Sequence, residues 1–285
     1  MKVAILGTGL MGTGFAEGLL NAGHEVIVYN RTKARTEGLV ALGATAVDTP
    51  AEAFEKADAS ILVMLDGAAV RGTLLEEVTK SSLYGKKILN ASTTQIDEIV
   101  SLTADVKALG CNLAEATILT GPEELRTKQS SFYLGCEEGD KEFWTEVLGS
   151  VSPAVLYVGE TGKATMAETP MVFSSAFGLI TAAYTASVVR KLNLPQEIVD
   201  TYAGILGPMG DYMLPIMIRG DYDQVMASVD NNVTVAKTAE SSAKVLGFPS
   251  EVFAAIASLL EETANRGYGQ KDGSAVCEVI LNPIE

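Results

Sequence analysis

The sequence predicts an α/β fold in which a doubly wound parallel sheet is followed by a long interdomain helix and an all-helical domain. Short apolar runs of strand length alternate with helical patterns through the first half of the chain. A glycine-rich loop directly follows the first of these runs, and after Gly159 the alternation gives way to alanine-rich helical patterns. Strands that alternate with helices of ~10–15 residues are typical of βαβ units, whose strands pair in parallel. We place the sheet domain at residues 1–160 and the helical domain at residues 161–285.

The strands of the first domain are predicted where apolar runs are short and end in loop residues. These runs occupy residues 2–6, 25–29, 44–47, 59–65, 87–90, 113–116, 131–135 and 154–158. Helical spacing of apolar residues predicts helices over 11–22 and 32–42 between the first three strands.

The second half begins with a helical pattern over 163–192 that carries alanines and apolar residues on several faces and stops before Pro195. A helix of roughly 30 residues is about 45 Å long, which exceeds the diameter of a small domain. Three more helices are predicted over 195–206, 224–246 and 249–266. A long helix that is apolar on several faces needs extensive burial, so we expect a homodimer that is formed through this domain.

Composition excludes several classes of function. The chain has 285 residues with 36 acidic and 21 basic side chains, and its net charge of −15 argues against nucleic acid as a partner. No continuous apolar run reaches the ~18 residues of a membrane helix. Three widely spaced cysteines suggest no disulfide framework and no metal site, and they fit the reducing cytoplasm. A single histidine, His24, excludes histidine triads and histidine metal clusters.

The loop after the first strand reads Gly7-Thr8-Gly9-Leu10-Met11-Gly12, which is the pattern G-x-G-x-x-G. Between a strand and a helix, this pattern predicts a Rossmann dinucleotide-binding loop. Gly7 permits the tight turn, Gly9 lets a pyrophosphate approach the backbone, and Gly12 lets the helix pack close to the strand. The free N–H groups of the helix N-terminus bind the phosphates. We expect Leu10 and Met11 to contact the cofactor as well.

The end of the second strand indicates which dinucleotide is bound. Chains that bind NAD usually carry an acidic residue there for the ribose 2′-hydroxyl. This chain has Asn30-Arg31-Thr32-Lys33, with Arg35 close by, and no carboxylate to repel a 2′-phosphate. The three cations favour NADPH over NADH.

These segments, together with Asn90-Ala91-Ser92-Thr93 and the long helix, resemble the β-hydroxyacid dehydrogenase superfamily with its 6-phosphogluconate dehydrogenase-like C-terminal domain. Within it the chain is similar to the NADPH-dependent imine reductases and reductive aminases. That likeness is carried by the stretches over 66–71 and 116–122, and by Gly267-Tyr268-Gly269 with Asp272. The resemblance implies further cofactor contacts from Met64, Leu65, Val70, Asn90, Ser92 and Thr93. It leaves open whether Ser92 or Thr93 lies at the nicotinamide ribose.

The start of the long helix carries the candidate catalytic residue. Hydroxyacid dehydrogenases of this superfamily place a lysine six residues after a glycine, and counting from Gly162 that position holds Glu168. Imine reductases typically carry Asp or Tyr there. A lysine would repel a positive iminium, whereas a carboxylate would attract it, and a carboxyl group of raised pKa would donate a proton. These two roles need opposite charge states, and a helix-surface glutamate is the alternative to both.

The resemblance also implies a substrate pocket that is shared between two subunits. Tyr212 is the candidate for a second catalytic group, through a hydrogen bond or a cation–π contact. Further candidates to line the pocket are Leu119, Thr120, Met171, Met209, Asp211 and Met213. A methionine-rich stretch of core or of dimer interface is the other interpretation of residues 209–213.

The function expected from the resemblance is NADPH-dependent reduction of an imine, preformed or made from a carbonyl compound plus an amine. Two alternatives remain open. One is a carbonyl or hydroxyacid oxidoreductase with an unusual acid, and the other is a non-catalytic NADPH-binding sensor.

Overall fold

A computed structural model describes residues 1–283, apart from the side chains of Pro208 and Met209. The chain divides into two compact units, Met1–Glu168 and Thr169–Glu285. The division falls inside the long helix, further along the chain than the sequence predicted. The reason is that the first turn of this helix is hydrogen-bonded to the sheet of the first unit.

The first unit is built on one eight-stranded sheet with the order β3-β2-β1-β4-β5-β6-β7-β8. The strands are β1 Lys2–Leu6, β2 Glu25–Tyr29, β3 Thr45–Ala46, β4 Ala59–Leu62, β5 Lys87–Asn90, β6 Asn112–Ile118, β7 Ser131–Gly135 and β8 Ala154–Gly159. The chain order reverses at β1, which pairs in parallel with both β2 and β4. In doubly wound sheets ligands bind at such a switch point, beyond the carboxyl ends of the strands.

Helices cover both faces of this sheet. They are α1 Leu10–Asn21, α2 Glu37–Ala41, α3 Pro50–Lys56, α4 Gly67–Leu75, α5 Glu77–Lys80, α6 Ile96–Ala108, α7 Pro122–Arg126 and α8 Lys141–Gly149. Alternate residues of β1 enter two different apolar cores: Ile5 packs with Phe15 of α1, and Leu6 packs with Phe54 of α3. A strand that is buried on both faces is apolar throughout, so the predicted doubly wound sheet is confirmed.

The prediction that all strands are parallel is wrong for the far end of the sheet. β6 pairs with β7 antiparallel, and β8 then runs parallel to β7. A parallel return usually runs through a helix that crosses the sheet. The β6–β7 connection contains only the short α7, which packs on α1. There a Cβ on Gly14 would lie 2.6 Å from the carbonyl oxygen of Pro122.

The largest differences from the predicted element boundaries in the first unit occur at two places. The strand predicted over 59–65 ends at Leu62, which leaves Val63, Met64 and Leu65 in the loop at the carboxyl edge. The helix predicted over 32–42 is a 3₁₀ turn, Lys33–Thr36, followed by α2.

The second unit is helical, as the sequence predicts. It holds most of α9 Lys163–Leu192, then α10 Gln196–Leu206, α11 Pro208–Arg219, α12 Val229–Leu246, α13 Glu251–Thr263 and α14 Val276–Leu281. The sequence missed α11 and α14. It also began α12 too early, because the helix starts after Ser228, whose side chain accepts the N–H of Asn231 at 3.2 Å.

The long helix α9 is apolar enough, by length and composition, to cross a membrane, although no continuous apolar run predicted this. The core helix of a soluble protein passes the same test. Ala182, Ala183 and Ala186 of α9 are fully buried in the core of the helical unit.

Candidate cofactor site and buried carboxylates

The glycine loop joins β1 to α1 at the switch point of the sheet. Gly7 has a φ of +104°, and a Cβ there would overlap the carbonyl oxygen of Val63. A Cβ on Gly12 would overlap the carbonyl oxygen of Gly7. At Gly9, in contrast, a Cβ would meet no described atom within 4 Å. The loop is therefore tightly packed on its inner side and open at Gly9, as a bound pyrophosphate requires.

The open loop ends at the N-terminus of α1. Gly9 is the N-cap residue, and no side chain within residues 1–283 caps the first turn. Leu10 is 49% exposed, and Met11 is half-buried against the core. The free N–H groups of this turn fit the phosphates of a dinucleotide.

Asn30 fixes the loop after β2. Its Oδ1 accepts the N–H of Thr8 at 3.2 Å, and its Nδ2 donates to the carbonyl oxygen of Thr32 at 3.0 Å. The hydroxyl of Thr8 donates to the carbonyl oxygen of Arg35 at 3.2 Å. Asn30 thus connects the glycine loop to the segment that carries the candidate cations, and Thr32 takes part through its backbone.

The three cations predicted for a 2′-phosphate are not equivalent. Lys33 Nζ lies 2.6 Å from a carboxylate oxygen of Asp48, a partner that the sequence analysis did not foresee. Their hydrogen bond raises the pKa of Lys33 and lowers the pKa of Asp48. Arg31 and Arg35 are exposed and form no salt bridge within the described part of the chain. These two arginines are therefore the free cations of the site.

The loops after β4 and β5 are bound to each other at the same edge of the sheet. Ser92 Oγ accepts the N–H of Met64 at 2.8 Å and donates to the carbonyl oxygen of Leu62 at 3.2 Å. Asn90, which is buried, accepts the N–H of Ser92 at 3.0 Å. Thr93 is half-buried, and its hydroxyl has no hydrogen bond to any residue that the structure describes. Of the two hydroxyls left open above, only that of Thr93 is free for a ligand.

Val70 was expected to contact the cofactor, and the structure corrects this. Asp66 caps α4 by accepting the N–H of Ala69 at 2.8 Å, and the helix then turns Val70 into the core, where it is fully buried. Its side chain packs the fold and presents no surface to a ligand. Leu65, just before α4, is 50% exposed and remains available.

A buried carboxylate that the sequence analysis missed lies on β6. Glu115 is 1% exposed, and its Oε1 accepts the N–H groups of Gly162 at 2.5 Å and Ala164 at 2.8 Å. Its Oε2 accepts the hydroxyl of Thr165 at 2.7 Å. Glu115 therefore binds the N-terminus of α9. The available signal was one acidic residue inside a mostly apolar strand, Asn112–Ile118.

Glu168 lies one turn further along α9 than Ala164 and Thr165. Residues four apart share a helix face, and helical side chains lean toward the N-terminus, so Glu168 leans toward the end that Glu115 binds. Glu168 is half-buried. Burial, and secondly the negative charge of Glu115, raises the pKa of Glu168 to about 7. At neutral pH this carboxyl group is therefore protonated in a large fraction of molecules.

The other residues predicted to line a pocket are distributed over both units. In the first unit, the backbone N–H of Leu119 donates to the Ser131 carbonyl oxygen at 3.0 Å, and Thr120 Oγ1 lies 2.6 Å from Ser130 Oγ, so that hydroxyl is engaged within the fold. In the second unit Met171 and Asp211 are exposed, and Met213 packs on the helical core. Met209 lies outside the described side chains.

Tyr212, on α11, is half-buried and packs beside a small apolar cluster that includes Ile216, Tyr222 and Val229. Burial, together with the negative charge of Asp272, raises the pKa of Tyr212, so its hydroxyl stays protonated at neutral pH. Among residues 1–283, no group of three or more His, Cys, Asp or Glu side chains could hold a metal ion.

Comparison with known proteins adds to this geometry. Residues 2–159 match the family model described as the NAD-binding domain of 6-phosphogluconate dehydrogenase. The uncharacterized oxidoreductase YfjR of Bacillus subtilis is 26% identical over 98% of this chain and 100% of its own length.

Two solved structures share the fold over almost their whole length. A 3-hydroxyisobutyrate dehydrogenase of Salmonella typhimurium superposes with a TM-score of 0.85 at 22% identity, over 98% of this chain and 99% of that one. An imine reductase of Myxococcus stipitatus, in complex with NADP+, superposes with a TM-score of 0.67 at 19% identity, over 98% and 100% of the two chains.

Proposed function

The chain belongs to the family of the NAD-binding domain of 6-phosphogluconate dehydrogenase, an NAD(P)-dependent oxidoreductase family, and from this we propose that it reduces the C=N bond of an imine to an amine with NADPH. The observation that carries the proposal is Glu168, a carboxyl group with a pKa of about 7 at the position where the hydroxyacid enzymes have a lysine. A group that is partly protonated at neutral pH is suited to general acid catalysis.

Glu168 performs both of the roles that its position suggests, one after the other. Its protonated form donates to the imine nitrogen: the carboxyl O–H bond breaks, and an N–H bond forms. The carboxylate that remains faces the positive iminium and stabilises it, because opposite charges attract strongly in a site of low dielectric constant. Water then returns a proton to Glu168. A lysine at this position would oppose the formation of the iminium.

The cofactor residues fit NADPH. When bound, NADPH supplies the hydride. Gly9 and the first turn of α1 bind its pyrophosphate, and Met11 and Gly12 support that turn. Arg31 and Arg35 bind the 2′-phosphate, since neither forms a salt bridge to another described residue. Thr93 offers its free hydroxyl to the nicotinamide end.

A homodimer completes the proposed site. Apolar side chains on one side of α9 are strongly exposed, with Phe177 at 44%, Tyr184 at 52% and Val188 at 50%. Large exposed apolar patches mark interaction surfaces, and we assign this one to a second copy of the chain. Tyr212 of this second copy then serves as a hydrogen-bond donor to the substrate.

A second candidate is the reduction of a small carbonyl acid. It is favoured by the structural comparison, because the hydroxyisobutyrate dehydrogenase has a higher TM-score to this chain than the imine reductase has. It is disfavoured by Glu168, because reduction of a carbonyl group generates a developing alkoxide, for which a cation such as lysine is the better partner.

The test is NADPH oxidation, followed by absorbance, with 2-methyl-1-pyrroline and succinic semialdehyde side by side. The proposal expects turnover of the imine and a loss of at least about 100-fold in kcat for Glu168→Gln, the usual scale of general acid catalysis. NADPH affinity of that variant should stay unchanged. Turnover of the aldehyde alone would reject imine reduction. NADPH binding without turnover of either compound would favour a sensor.

A further inference from the structure

Glu115 is the most deeply buried acidic group near the start of α9, and the proposed reaction does not use it. Three backbone N–H groups, of Gly162, Ala164 and Thr165, point at its Oε1, the last of them at 3.4 Å. An N–H group can only donate, so a proton on Oε1 would have no acceptor there. The positive end of the α9 helix dipole adds to the same preference. Burial raises the pKa of Glu115, and these donors oppose that change.

Glu168 has the opposite environment. No hydrogen bond of its carboxyl group to a described residue stabilises a negative charge, and its side chain leans toward an anion that is already present. Two carboxylates that interact electrostatically do not ionise equally, and the one with fewer donors keeps the proton.

We propose that Glu115 and Glu168 act as a coupled carboxylate pair, in which Glu115 remains ionised at the N-terminus of α9 and Glu168 holds the proton that is passed to substrate. Glu115 is a positioning residue in this pair, because it acts through Glu168 and through the helix start. The inference rests on the proposed function for the fate of that proton, but the pairing itself can be measured without any substrate.

Other charged groups around the pair do not replace Glu115. Lys163, on the same helix, is exposed and packs over Gly159. Helix α6 brings Val100 against Gly162, and its Glu98 accepts the N–H of Gln95 at 3.1 Å. Strand β7 brings Gly135, which has no side chain, against the Glu115 carboxylate. Within the described residues, Glu115 is the one charge that shifts the pKa of Glu168.

The test compares Glu115→Gln with Glu115→Asp. Glutamine keeps an oxygen that accepts the N–H groups and removes the charge, whereas aspartate keeps the charge and is too short to reach every donor. Glu168 is titrated directly by infrared spectroscopy of the protonated carboxyl band, which is identified as the band lost in Glu168→Gln. We expect Glu115→Gln to lower the pKa of Glu168 by about one unit, the scale of a like-charge interaction. Glu115→Asp should lower the melting temperature and leave the pKa near its wild-type value.

An unchanged Glu168 titration in Glu115→Gln overturns the pair, whether or not the protein reduces imines. A shifted titration in a protein that reduces no imine leaves the pair standing and rejects the proposed function. In active protein, the alkaline limb of the pH profile of kcat should move with the titration. Thr165→Val is the second variant, should Glu115→Gln not fold. Without the hydroxyl donor, Glu115 holds its negative charge less well and competes for the proton of the pair. The pKa of Glu168 should therefore fall, but by less than in Glu115→Gln.

Discussion

Helices α1 and α9 begin in opposite ways. The N-terminus of α1 starts at Gly9, has no side-chain cap and faces open space. The N-terminus of α9 is filled by the carboxylate of Glu115, which reaches it from β6. Both ends attract an anion by the same free N–H groups and helix dipole. The difference shows that the fold supplies its own anion at one helix and leaves the place at the other for a ligand.

The largest loss of stability is expected when the Glu115 carboxylate is removed from the N-terminus of α9. Glu115→Ala leaves the buried N–H groups of Gly162 and Ala164 without an acceptor, and each such group costs about 1–3 kcal/mol. We expect the free energy of unfolding to fall by about 3–4 kcal/mol in urea denaturation. The matched control Thr165→Val loses the hydroxyl hydrogen bond to Glu115 and should cost about 1 kcal/mol. Equal losses in the two variants would contradict the capping role.

Alanine substitutions in the glycine loop, at the open N-terminus of α1, should have different effects at Gly12 and at Gly9. Gly12→Ala forces a Cβ against the carbonyl oxygen of Gly7, and we expect it to lower the free energy of unfolding by about 2–3 kcal/mol. Gly9→Ala places its Cβ in open space, so stability should hold while NADPH affinity, measured by fluorescence titration, falls. An NADPH affinity of Gly9→Ala equal to that of the wild type would show that no phosphate approaches this loop.

The cations beside the open end can be compared with one another. Removing Arg31 and Arg35 together should weaken NADPH binding by about 30-fold and change NADH binding little, because about 2 kcal/mol of charge-assisted hydrogen bonding is lost. Lys33→Ala is the control, since Lys33 is already paired with Asp48, and it should weaken NADPH binding only a few-fold. Equal losses for NADPH and NADH would argue against a 2′-phosphate site.

The smallest predicted effect is on the pH dependence of stability, and it tests the environment of Glu168 on α9. The pKa of Glu168 is about 7 in the folded chain and near its usual ~4.3 when unfolded, so the folded state binds more protons between these values. Stability contributed by the protonated group is therefore present below pH ~4 and is lost as the pH rises through 7.

Glu168→Gln carries no such charge, so its stability relative to wild type should rise by about 1–2 kcal/mol between pH 6 and pH 8. Urea denaturation at the two pH values measures this. A stability difference that does not depend on pH would place the folded pKa of Glu168 near its unfolded value.

The sequence predicted the open helix end and missed the filled one for a physical reason. The glycine loop is local: six consecutive residues fix its turn, its packing and its opening. Glu115 and its donors at residues 162–165 are far apart in the chain, and the pairing of β6 with β7 and of β7 with β8 brings them together. The pairing of Lys33 with Asp48 was missed for the same reason.

The errors in the fold have related causes. The apolar pattern of β7 is the same for either strand direction, so its antiparallel pairing was hidden. Helix α11, which the sequence did not predict, begins at Pro208 and contains Pro215, and proline is unfavourable in a helix interior. Val70 lies on a segment that resembles cofactor-binding sequences, but its helix phase turns it into the core.

The open space at Gly9 determines how this chain tolerates mutation. In a library selected only for folding or expression, Gly7 and Gly12 would tolerate almost no substitution, while Gly9 would accept small side chains as if it were a neutral surface position. Selection for cofactor-dependent growth would remove the same Gly9 variants. The two selections together would separate residues that the fold requires from residues that only the ligand requires.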